Sequence, residues 1–76
     1  MTLYIVHHFE SEFGISSLEE HTPFYSYAEA VEYYNRLWFM YKNRPSFKEK
    51  VGELCFSVGD YLDDHSVSVW FEEKNL

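Results

Sequence analysis

Seventy-six residues with a formal net charge of −7 leave room for one domain only, because two cores would each be too small for burial to offset chain entropy. A single cysteine, Cys55, excludes an intramolecular disulfide, and no apolar run approaches the ~20 residues of a bilayer-spanning helix, so no membrane partner is expected. With 13 acids against 6 bases, direct nucleic-acid binding is not expected either, since phosphate contacts need a basic surface.

A lone thiol without a signal-peptide pattern points to a reducing compartment, so the cytoplasm is the expected location. The chain holds seven Phe, seven Tyr and two Trp, each ring able to bury ~150 to 250 Å². A domain this small hides only about 60% of the surface its unfolded chain exposes, so part of that ring surface is expected to stay outside. Charge is uneven along the chain: residues 1–41 and 51–76 each carry net −5, and residues 42–50 carry +3.

In chain order, Thr2 to Phe9 reads as a strand with Leu3, Ile5, His7 and Phe9 on one side and Tyr4, Val6 and His8 on the other. Both sides are largely apolar, so the strand is expected to be central. Glu10 to Glu12 turns the chain, and Phe13, Ile15 and Ser17 alternate with Gly14 and Ser16 as a weaker second strand.

Ser26-Tyr27-Ala28-Glu29 has the S-x-x-E form of a capping box, which starts a helix near Tyr27. It is expected to run to about Lys42, because Asn43 suits a left-handed C-terminal position and Pro45 disfavours helical geometry at Arg44. Beyond it, Leu54, Phe56 and Val58, and then Val67, Val69 and Phe71, alternate with polar residues as a hairpin whose loop, Gly59 to His65, carries Asp60, Asp63 and Asp64. The expected fold class is α+β in the order β-β-α-β-β, one helix packed on an antiparallel or mixed sheet.

At ~100° per residue, Tyr27, Ala30, Val31, Tyr34, Leu37, Trp38 and Tyr41 form one stripe, enough to seal the sheet. Tyr33 and Met40 lie well off its centre, and Phe39 lies roughly opposite. Either the segment Glu19 to Tyr25 folds over the helix and covers Phe39, or Phe39, Met40 and Tyr33 form an apolar patch for a protein partner or a second copy of the chain. The second reading is preferred.

Signals for chemistry are weak. His7, His8, His21, His65 and Cys55 lack zinc-site spacing, and His7 and His8, adjacent on a strand, point to opposite faces and cannot share one ion. Asp60, Asp63 and Asp64 lack the calcium-loop pattern. No nucleophile motif and no glycine-rich phosphate loop is present, so neither an enzyme nor a cofactor is expected. Lys42, Arg44, Lys48 and Lys50 read as helix-dipole complementation, or alternatively as a patch on which an oligomer binds an anionic nucleotide.

Carboxylates on a small scaffold can stand in for phosphates, so Glu29, Glu32, Asp60, Asp63 and Asp64 join Tyr33, Phe39 and Met40 as candidate partner contacts. In size, acidity and surplus of rings the chain resembles, by type alone, the small inhibitors of phages and mobile elements, such as anti-CRISPR and other anti-defence proteins. The resemblance implies a non-enzymatic inhibitor in the host cytoplasm, occluding a nucleic-acid-handling protein as a DNA mimic.

Overall fold

The computed structural model describes residues 1–13, 15–50, 52–60 and 65–76, with Asp60 described through its backbone only. Five strands and one helix follow in the order β1 (Thr2–Glu12), β2 (Ile15–Phe24), α1 (Tyr27–Tyr41), β3 (Phe47–Glu49), β4 (Cys55–Asp60) and β5 (His65–Asn75). All pairings are antiparallel in one sheet of order β2-β1-β5-β4-β3. The α+β class and the β-β-α-β-β frame are those expected from the sequence, with β3 as a short addition within the basic segment.

β1 is an interior strand, flanked by the edge strand β2 and by the equally long β5, which is the middle strand of the sheet. Strand alternation sends Tyr4, Val6 and His8 to the helix side, where Phe56, Val58, Val67 and Val69 join them. The helix meets these with Ala30, Tyr34, Leu37 and Tyr41, all buried. Edge-to-face rings knit the two layers: Tyr34 on Phe56 at 5.6 Å, and Tyr27 on Phe71 at 5.7 Å. Such burial, about 1.5 to 3 kcal/mol for each large side chain, is the main term holding so small a fold.

Local signals set the helix start. Ser26 is extended at φ −103 and accepts a hydrogen bond from the Glu29 amide at 3.3 Å, as the capping pattern predicts. The exit differs from expectation. Asn43 does not take the left-handed conformation; instead tight turns close through Arg44 N–H to Tyr41 C=O and Phe47 N–H to Arg44 C=O. Pro45 sits between them, supplying the fixed φ such turns use. Trp38, packed on Phe47 at 6.1 Å and donating its indole N–H to Glu49 at 3.2 Å, then holds β3 against the helix.

The second strand also corrects the sequence reading. Phe13 is a turn residue with φ 51, not a strand position, and the strand continues through residues 19–24, beyond the stretch its alternation predicts. Long-range pairing overrides the weak local propensity of Glu19, Glu20 and Pro23, which suit an edge strand because one side meets water and Pro lacks a donor. A segment committed to the sheet cannot fold over the back of the helix, so it leaves Phe39 63% exposed.

Candidate functional site

One helix covers one face of the sheet. On the other face, residues one step along the same strands come together. His7 stands opposite His21 on β2 and opposite Trp70 on β5, so residues 14 and 63 positions away in the sequence share one spot. Phe9 stacks on Trp70 with ring centroids 4.9 Å apart and planes 5° from parallel, and His7 stacks on the same indole at 5.0 Å. His21 meets both His7 and Phe9 edge-on, at 4.9 and 5.4 Å. Together the four rings form a continuous plateau over three strands.

A polar chain runs through it. His7 Nε2 lies 2.9 Å from a Glu72 oxygen, His21 Nε2 lies 3.1 Å from a Glu19 oxygen, and the two Nδ1 atoms face each other at 2.7 Å. A carboxylate only accepts, so both Nε2 atoms carry the N–H and donate outward. The order across the face is Glu72, His7, His21, Glu19. His7 is the sheltered member, while Glu72, His21 and Glu19 stand about half exposed.

A second polar cluster lies under the helix. Tyr41 donates its hydroxyl to Glu10, whose carboxylate lies 3.6 Å from buried His8 Nε2. Burial, then the bond to Glu10, then that carboxylate's negative charge, pushes the Tyr41 phenol up to about 12, partly offset by Arg44. Burial, aided by Glu49 and Cys55, pushes Tyr34 up to about 12 as well. These phenols stay protonated at neutral pH and face the interior, an arrangement suited to packing.

The residues singled out from the sequence fall into separate places. Phe39 and Met40 are exposed on the outward side of α1, 63% and 67%, but Tyr33 is half-buried against Phe24 at 5.5 Å and contributes little to that patch. Glu29 and Glu32 are exposed on the same helix, with Glu32 bridged to Arg36 at 2.9 Å. The side chain of Asp60, and Asp63 and Asp64 altogether, lie outside the described residues.

The four cations divide their attention. Lys42 caps the Phe39 ring at 4.2 Å, Arg44 lies over Tyr41 at 5.8 Å, Lys50 pairs with Glu53 at 3.3 Å, and Lys48 is an exposed β3 residue. His7 and His8 do take opposite faces of β1, as strand alternation requires. Among the described residues, no three His, Cys, Asp or Glu side chains converge as a metal site.

The plateau on the open face escaped sequence reasoning because its members come from positions 7 to 9, 19 to 21 and 70 to 72, and only strand register unites them. One signal was available. β1 is apolar on both sides, yet the described residues include a single helix to cover them. No helix among the described residues is long and apolar enough to cross a membrane. No family model, curated protein or solved structure matches this chain.

Proposed function

We propose that this chain is a non-enzymatic interaction module that docks on a protein partner through the open face of its sheet. The observation that carries the reading is the plateau of Phe9, His7, His21 and Trp70, with Trp70 37% exposed and Glu19 and Glu72 flanking it. Aromatic anchors ringed by polar groups are what protein interfaces use for binding energy. The occupant is chosen by charge. At net −7 a second copy is repelled, whereas a partner with Lys and Arg around an apolar centre is attracted.

Proteins that handle nucleic acid carry such surfaces, and occluding one of them is the form of activity that acid composition favours, in the manner of a small anti-defence inhibitor or DNA mimic. The exposure of Phe39 and Met40, with Glu29 and Glu32 on the same helix, favours the outward helix face as a second reading.

Affinity capture from cells, identification by mass spectrometry and reconstitution with purified partner provide the test. Trp70→Ser with Phe9→Ser should lower affinity at least tenfold with the helical circular dichroism retained, and raising salt should weaken the wild-type complex. Binding that survives those changes but is lost in Phe39→Asp would move the interface to the helix. A partner with an acidic surface and no salt dependence would overturn the charge argument.

A further inference from the structure

On the same open face, the two imidazoles at its centre make an arrangement that docking does not require. With Nε2–H of His7 committed to Glu72 and Nε2–H of His21 committed to Glu19, each neutral ring has its remaining lone pair on Nδ1. Those lone pairs point at one another across 2.7 Å. Two lone pairs at that separation repel unless a positive charge lies between them, either a proton shared by the two rings or a metal ion. A carboxylate taking the outer N–H of a histidine is also how metal-bound imidazoles are fixed in tautomer and orientation.

We propose that His7 and His21 bind a divalent transition-metal ion of the zinc, nickel and copper class through their Nδ1 atoms, with Glu72 and Glu19 orienting the two rings. Imidazole nitrogen suits these metals, where calcium and magnesium prefer oxygen. Bonds of about 2.0 to 2.1 Å at a tetrahedral angle set two nitrogens about 3.3 Å apart, so the rings must part by about 0.6 Å. His21 sits on an edge strand and is about half exposed, which lets its ring turn without disturbing the core.

The remaining coordination positions face outward, to water or to a side chain of a docked protein. The net charge of −7 favours a cation at this surface. Neither His8 nor His65 completes the pair. His8 is on the helix side, and His65 lies opposite Glu12 at the far end of β1. The inference does not depend on the docking proposal, because the nitrogen pair is formed within one chain.

The test is titration of the purified 76-residue chain with Zn²⁺, Ni²⁺ and Cu²⁺, each alone, by calorimetry and by NMR of ¹⁵N-histidine. The expected result is one ion per chain, Cu²⁺ tightest, with the Nδ1 signals of His7 and His21 shifting together. Trp70 fluorescence should be quenched by Cu²⁺, read in a Trp38→Phe background, because that indole stacks on His7 at 5.0 Å.

His21→Ala, at an exposed edge position, should abolish the binding with the fold intact. Glu19→Gln and Glu72→Gln should each weaken it by about tenfold, the lower end for such outer carboxylates because both are partly exposed. His65→Ala should leave it unchanged. Absence of saturable binding in the wild type, or binding that persists in His21→Ala, overturns the proposal. So does a result in which only protons, and none of the three metals, move the two Nδ1 signals.

Discussion

On the helix side of the sheet, Val6, Phe56, Val58, Val67 and Val69 are almost wholly removed from solvent. On the other side, residues one step along the same strands (Ile5, His7, Cys55 and Trp70 among them) remain partly accessible. The two faces share backbone, register and twist, so the difference lies in what covers them. A covered face is committed to stability, and there each polar group must find a partner or be kept neutral. An open face can hold charged and titratable groups beside aromatic rings at little desolvation cost, and recognition has such groups available to it.

The sharpest way to break the comparison is to remove one ring from each face. Phe56→Ala takes a fully buried ring from beneath Tyr34, Tyr41 and Phe47, and should cost about 3 to 5 kcal/mol. A 76-residue domain without a disulfide is stable by only a few kcal/mol, so this variant should be largely unfolded at 25 °C by urea titration and circular dichroism. Trp70→Ala opens no comparable cavity and should remain folded. Equal losses would mean that the open face is also core.

Alkaline pH separates the faces next. Tyr34 and Tyr41 on the covered side titrate near 12 in the folded chain, against an ordinary value of 10. The folded state therefore holds the phenolic protons more tightly than the unfolded state. Their contribution is complete below pH 10 and is lost as pH climbs from 10 through 12, at most about 2 to 3 kcal/mol per ring. Urea midpoints should fall steeply in that window, and Tyr34→Phe or Tyr41→Phe should each flatten the fall.

At pH 7 these two variants should diverge. Among the described residues the Tyr34 hydroxyl has no hydrogen-bond partner, so its removal should be neutral or stabilising. Losing the Tyr41 hydroxyl leaves Glu10 without that donor beside buried His8, and should cost about 1 to 3 kcal/mol.

The same contrast explains what the sequence made legible. The helix was readable because its signals are local: the cap at Ser26 and an apolar stripe at helical spacing. β4 and β5 were readable because Phe56, Val58, Val67 and Val69 alternate with polar residues, the mark of a strand with one covered face. β2 was largely missed, since Glu19, Glu20, His21 and Pro23 form a strand only by pairing with β1, and pairing is not local. The open-face site was missed for the same reason at one remove, because it needs the β1–β2 and β1–β5 registers together. The outward exposure of Phe39 was legible, since helical phase alone places it opposite the core.

The smallest expected effect concerns that ring. Phe39 is 63% exposed; Trp38 meets it edge-on at 5.4 Å, and the Lys42 ammonium lies 4.2 Å above its face. An exposed cation–π contact is worth about 0.5 to 1 kcal/mol, so Phe39→Ala should lower stability by no more than that. Phe39→Asp loses the same contact and adds a negative charge near the helix C-terminus, where the dipole disfavours it by a further ~0.3 to 1 kcal/mol. It should therefore be the less stable of the two in urea at low salt, and the gap between them should close in high salt as the added charge is screened. A loss above about 2 kcal/mol in Phe39→Ala would show that the outward face of the helix carries the fold. The two sides of the sheet would then no longer be the only division of labour in the molecule.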